Sequence, residues 1–340
     1  MKYFNILFLI LFLTTSAKAQ SVKVSVSKVS IPTYTEPERE ELPMFAENRV
    51  HQRSSGNRYP NKIVLKVNRE QKVDKEYTLI KLENEYLELQ ILPEIGGKIY
   101  AAKDKTNGYD FFYKNHVIKP ALIGALGSWI SGGLEFNWPF HHRASSFMPT
   151  DYEIEKLPGG GVIVWVSEHD PTDRMKGTVG IVLNPGESIF ETRVKLSNIT
   201  PLRHSFLWWE NVAVPSNKNY EIFFPHDVSH VFFHYKRSVT TYPVATNAAG
   251  IFNGIRYDGA VDISKHKNTI QPTSYFSAAS QYDFFGGYDT GRKCGVVHIG
   301  DHHVSPGKKM FTWAYNQLSQ SWENALTDTD GAYCELMAGS

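Results

Sequence analysis

Thr178-Val179-Gly180-Ile181-Val182-Leu183-Asn184-Pro185-Gly186-Glu187-Ser188-Ile189-Phe190-Glu191-Thr192-Arg193-Val194-Lys195-Leu196 is two apolar-rich runs on either side of a Pro-Gly turn. Pro presets the φ of the first central turn residue, and Gly supplies the positive φ that a type II turn needs at the second. Two runs of strand length joined this way predict a β-hairpin. On the N-terminal side, Gly161 to Ser167 encloses Val-Ile-Val-Trp-Val, a further strand. Tyr77 to Lys81 and Tyr86 to Ile91 alternate or run apolar, and Phe284 to Tyr288 and Gly295 to Ile299 read the same way. Gln20 to Ser30 alternates Val with polar residues and suits an edge strand. No long stretch has helical spacing, and there is no internal repeat. Strands without helices predict an all-β sandwich.

The N-terminus reads Met1-Lys2, an apolar run from Ile6 to Leu13, then Ala17-Lys18-Ala19. A basic start, a short apolar core and an Ala-x-Ala site predict a signal peptide over residues 1–19, and hence export to the periplasm or beyond. The apolar run is shorter than the ~20 residues that span a bilayer, so no membrane anchor is expected. Residues 20–72 read as a partly irregular leader, because Thr35-Glu36-Pro37-Glu38-Arg39-Glu40-Glu41 is charged and Pro-interrupted. Residues 73–340 form the main domain. Acids and bases balance at 35 against 36, which excludes the strong field of a nucleic-acid binder. Cys294 and Cys334 are the only cysteines; they lack zinc-site grouping, and sequence does not say whether they meet. No Gly-x-Ser-x-Gly, phosphate-loop or His-Glu-x-x-His motif is present.

Chemistry concentrates in four places. Trp129 to Arg143 packs Trp129, Glu135, Asn137, Trp138, His141, His142 and Arg143 around Gly132-Gly133. Such groups need partners when buried, so the segment is either the floor of a polar pocket or a rigid corner with its own hydrogen-bond network. Asp301-His302-His303, followed by Trp313, reads as a pocket rim or a polar loop. No metal site is assigned there, because adjacent strand residues point to opposite faces. Trp208 and Glu210 share one strand face, as a sugar contact or as a core Trp beside a partnered Glu. Finally, Glu335 is the sole acid in the apolar run Ala332 to Ala338. Apolar neighbours favour a raised carboxyl pKa, which suits a general base near neutral pH.

Ile91-Leu92-Pro93-Glu94-Ile95-Gly96-Gly97-Lys98-Ile99 resembles the opening strand pair of aldose 1-epimerases, the galactose mutarotase-like β-supersandwich. Asn198-Ile199-Thr200-Pro201 leading to Trp209-Glu210-Asn211-Val212 is similar to the stretch before that superfamily's acid histidine. Tyr333-Cys334-Glu335-Leu336 resembles the strand carrying its glutamate base. More closely, Trp129 to Arg143 and His298 to Trp313 resemble the DUF5107 family of exported bacterial proteins, in which tetratricopeptide repeats often follow the domain. The chain departs from the superfamily pattern where the acid histidine aligns with Leu207, leaving His204 three residues away. The superfamily domain continues past its base strand, so a sheet left incomplete at Ser340, with an unpaired edge, is expected.

The expected fold is therefore an all-β, galactose mutarotase-like β-supersandwich. The expected partner is a carbohydrate, with no cofactor, no nucleic acid and no assigned oligomeric state. The resemblance implies an epimerase or glycoside hydrolase working at the anomeric centre through Glu335, Glu210 and Glu135. The substrate contacts would come from Trp129, Asn137, Trp138, His141, His142, Arg143, Trp208, Asp301, His302, His303 and Trp313. A non-catalytic glycan-binding module is the alternative.

Overall fold

The structure is a computed structural model and describes residues 21–36, 68–121, 129–139, 148–170, 174–234, 238–246, 251–252, 255–256, 260–315 and 320–340. The expected signal peptide, most of the leader, and His141, His142 and Arg143 lie outside the described residues.

The hairpin is present. β8 (Met175–Leu183) pairs antiparallel with β9 (Phe190–Asn198), with Leu183 opposite Phe190. Gly186 takes φ 75°, the positive value its place in the turn requires. Asn84 clamps the turn from outside, its Nδ2 donating at 2.7 Å to both Asn184 O and Glu187 O. β7 (Val162–Asp170) and β6 (Asp151–Lys156) complete a four-stranded sheet in the order β9-β8-β7-β6.

A second sheet has twelve strands. Its path runs through β1 (Lys23–Tyr34), β2 (Lys72–Glu83), β3 (Leu87–Leu92), β4 (Lys98–Asp104), β5 (Leu134–Asn137), β10 (Trp209–Pro215), β18 (Tyr333–Gly339), β17 (Gly307–Thr312), β14 (Thr273–Ser277), β12 (His230–Phe233) and β13 (Ser238–Thr241), in that spatial order. The two-residue strand Tyr109–Asp110 pairs with β4 off this path. β1 is an edge strand, joined to β2 over its whole length. The C-terminal strand lies inside the sheet. β18 pairs with β10 on one side and β17 on the other, and all seven of its residues are buried. A third sheet consists of β11 (Tyr220–Phe223), β15 (Phe284–Asp289) and β16 (Cys294–Ile299).

Directly opposed residues of paired strands share a face, so the registers assign every side chain of the large sheet to one of two sides. Ile99, Leu134, Phe136, Val212, Val214, Met310, Cys334 and Leu336 fall on the inner side. They pack with Val164, Val179 and Ile181 of the four-stranded sheet and with Tyr220, Ile222 and Phe285 of the three-stranded sheet in one core. Each fully buried aliphatic side chain there contributes about 1.5–3 kcal/mol. The sandwich is thus closed on the inner side, and the outer side is left to carry chemistry. Cys294 and Cys334 are both free thiols. Cys334 Sγ faces His266 Nδ1 at 3.4 Å on the inner side, where burial pushes the thiol up to about 12.

Candidate functional site

The outer face of the large sheet carries two buried carboxylates. Asn211 lies opposite Glu135 on β5 and opposite Met337 on β18. Ala213 lies opposite Glu335, which in turn lies opposite Phe311 of β17. Lys309 lies opposite Met337. Ile99 pairs with Leu134, and antiparallel register therefore sets Lys98 beside Glu135. One row across five strands reads Lys98, Glu135, Asn211, Met337, Lys309, and Glu335 sits one pair further along β18. From strand spacing and rise, the Cα atoms of Glu135 and Glu335 are about 12 Å apart.

The polar groups on this face are tightly held. Glu135 Oε2 accepts from Trp129 Nε1 at 2.7 Å, and Glu135 Oε1 accepts from Asn211 Nδ2 at 2.9 Å. Lys98 Nζ donates to Ile130 O at 2.8 Å. Burial pulls the Lys98 ammonium down to about 8, opposed by attraction first from Glu135 and then from Glu335. Lys309 is likewise pulled down to about 8 by burial, with Glu335 opposing. Both lysines keep most of their charge at neutral pH while holding protons more weakly than an ordinary lysine. Beyond Glu135 lies Asn137, with Trp209 opposite. Asn137 is fully buried, and neither its Nδ2 nor its Oδ1 has a hydrogen-bond partner among the described residues. Such an amide costs about 1–3 kcal/mol per unmet group unless something else fills it. An aromatic layer of Tyr113, Trp129, Trp313 and Tyr333 closes the other end, with ring centroids 4.6 Å apart for Tyr113 and Tyr333 and 4.5 Å for Trp313 and Tyr333.

The structure brings together Glu135, Glu335, Trp129, Asn137 and Trp313 from the residues singled out by sequence. It separates Glu210, Trp208 and Trp138 from them. Glu210 is buried on the inner face, where its Oε1 accepts from Thr192 Oγ1 of β9 at 2.7 Å. Trp208 shares that side, as the alternation suggested, and its ring stacks on the inner-face Phe136 at 6.2 Å. Trp138 packs on the bare backbone of Gly177 in β8, where a Cβ would collide with the indole. Asp301, His302 and His303 lie in the loop between β16 and β17. His204 is exposed outside any strand, and Leu207, at the position aligned with the acid histidine, is also exposed. Sequence reasoning assigned no role to Lys98, Lys309, Trp209 or Asn211. The signal for the last two was the alternation of β10 itself, read on its other parity.

Glu210 gives a pH prediction. Burial raises its carboxyl to about 7, partly opposed by the Thr192 hydrogen bond. The unfolded chain has an ordinary glutamate near ~4.3, so between roughly pH 4.5 and 7 the folded state binds more protons, and stability falls as pH rises. The loss at pH 8 is about 3 kcal/mol. Glu210→Gln keeps an acceptor for Thr192 and removes the titration. The variant is expected to match the wild type in urea denaturation at pH 4.5 and to exceed it at pH 8. A constant difference across that range would mean that Glu210 does not titrate in the window.

A family model described as a domain of unknown function, DUF5107, matches residues 56–340. A TPR-domain containing protein from Parabacteroides distasonis ATCC 8503 superimposes with a TM-score of 0.79 at 22% identity, over 95% of this chain and 51% of that one. The chain thus spans about half the length of that protein. The Slr1438 protein from Synechocystis sp. PCC 6803 matches with a TM-score of 0.51 at 11% identity, over 77% of this chain and 84% of that one. A galactose mutarotase-like protein from Lactobacillus casei ATCC 334 matches with a TM-score of 0.43 at 9% identity, over 77% and 87%. The fold is all-β and antiparallel, and galactose mutarotase-like proteins are among its structural neighbours.

Proposed function

The chain belongs to the DUF5107 family, and we propose that the outer face of its large sheet binds a carbohydrate and acts at the anomeric centre, with Glu335 as the base. The observation that carries this reading is the pair of buried carboxylates, Glu135 and Glu335, on one face of the large sheet, on the two strands that flank β10. Chemistry at an anomeric carbon needs one group to take a proton and another to give one. Glu335 takes the first role. Lys98 and Lys309, whose ammonium groups hold protons less tightly than usual, are the proton-bearing groups facing it across the row. Glu135, tied to Trp129 and Asn211, positions the sugar rather than exchanging protons. The unmet amide of Asn137 offers one donor and one acceptor to ring hydroxyls, and the indole of Trp209 stands opposite. The sequence resemblance to aldose 1-epimerases in the Glu335 strand supports the same assignment.

A binding module without turnover is the second reading. It is favoured by Leu207 standing where the superfamily's acid histidine aligns, exposed and off the sheet. Isothermal titration with a panel of mono- and oligosaccharides, paired with NMR detection of anomeric exchange and of released sugar, separates the two. Binding with turnover supports the enzyme, and saturable binding without turnover supports the module. No binding across the panel sinks both. An exported setting, as the N-terminal sequence implies, completes the proposal. Among the described residues, no helix is long and apolar enough to cross a membrane.

A further inference from the structure

The Asp301-His302-His303 loop is built differently from a strand. Val304 N and Ser305 N donate to Asp301 O at 3.0 and 2.7 Å, and His303 N donates to Asp301 Oδ1 at 2.8 Å. This turn cancels the alternation that would separate neighbouring side chains. The two imidazoles lie side by side with centroids 3.9 Å apart. One ligand atom from each of the three residues lies within 4.8 Å of the other two. His302 is further fixed by Asp283, whose Oδ1 accepts from the His302 backbone N at 2.9 Å and from its Nδ1 at 2.8 Å. An ionised carboxylate only accepts, so Nδ1 carries a proton, and in the neutral imidazole Nε2 is then the nitrogen with the lone pair. That Nε2 is buried and has no hydrogen-bond partner among the described residues.

We propose that Asp301, His302 and His303 form a binding site for a divalent transition-metal ion of the zinc type, with Asp283 as the carboxylate that orients His302. Two imidazoles and one carboxylate suit zinc far better than calcium or magnesium, which prefer all-oxygen shells. Ligand atoms around a tetrahedral zinc lie about 3.4 Å apart, so small rotations of the exposed Asp301 and His303 side chains close the site. Water completes the shell. The carboxylate behind a ligating imidazole is the arrangement that sets tautomer and ring angle in such sites. The site stands apart from the sugar reading, since it needs neither Glu135 nor Glu335.

The test is titration of the untagged, chelator-treated chain with Zn²⁺, and separately with Ca²⁺, by calorimetry, together with the visible spectrum of the Co²⁺ form. One Zn²⁺ per chain is expected, with Ca²⁺ silent. His302→Ala and His303→Ala should each weaken Zn²⁺ binding at least ~10-fold, and Asp283→Asn about 10–100-fold. His116→Ala should change nothing, because His116 pairs with Asp330 at 2.8 Å and is not one of the three ligands. Absence of saturable Zn²⁺ binding up to about 1 mM overturns the proposal. So does a double His302→Ala, His303→Ala variant that binds as tightly as the wild type. If a variant fails to fold, the wild-type Co²⁺ spectrum decides: a low-coordinate nitrogen-ligated band supports the site, and the spectrum of hydrated Co²⁺ refutes it.

Discussion

Glu335→Gln is expected to lower turnover by about 100-fold or more on whichever sugar the wild type converts, the usual range for a positioned acid–base group. The substitution keeps the shape of the side chain and removes its capacity to take a proton. Binding should persist, because the amide still makes hydrogen bonds. The strand supports the prediction. β18 lies in the middle of the large sheet, paired on both sides, so the carboxylate is held in place although it sits five residues from Ser340. The measurement is kcat and KM for wild type and variant on one substrate. A fall in kcat with KM little changed fits a proton-transfer role. Equal rates would move the base to Glu135, the other carboxylate on that face. A rise in KM alone would make Glu335 a binding group.

Gly133→Ala is expected to cost at least ~3 kcal/mol of folding stability, from two sources that a control separates. Gly133 has φ 67°, which an L-residue adopts at a cost of roughly 1 kcal/mol. Its missing Cβ would also fall well inside contact distance of Ile99 O, a backbone atom of β4. That carbonyl belongs to a strand paired on both sides and has little room to retreat. Gly108 has φ 72° with nothing within 4 Å of its virtual Cβ, so Gly108→Ala carries the backbone cost alone. Urea denaturation of both variants, with the slope checked for two-state behaviour, reads the difference. Equal losses would show that the close approach of β5 to β4 is not what requires glycine. The same approach sets Lys98 against Glu135, so Gly133→Ala should also weaken any sugar binding retained by folded protein.

The hairpin at Asn184 to Glu187 was legible because turn chemistry is local: a Pro and a Gly at adjacent positions, between runs of strand length, admit few other geometries. The all-β architecture followed from the absence of helical spacing; among the described residues the one α-helix is the short Gln320–Leu326. Glu135, Asn137 and Glu335 were legible as candidates because charged or amide groups inside apolar runs need partners. Family resemblance rested on longer words, Gly-Gly-Leu-Glu-Phe-Asn-Trp-Pro above all. Gly133 in that run serves the backbone approach at Ile99, and that role is invisible without the neighbouring strand.

What sequence could not assign was the face. Along β10, alternation separates Trp209 and Asn211 from Trp208 and Glu210, and it says nothing about which set meets the second sheet. That choice is made by register across β5, β10 and β18 and by which face the four-stranded sheet packs on. Glu210 thereby enters the core while Glu135 and Glu335 reach the outer face. The same holds for the C-terminal strand, central rather than peripheral because its partners come from distant parts of the chain. It holds again for His302 and His303, which strand periodicity sets apart and a turn brings together. By itself the sequence determined the strands, the turn and the chemical inventory, since these depend on neighbours within a few residues. Which groups meet depended on pairing between segments far apart along the chain, and only the tertiary structure decides that.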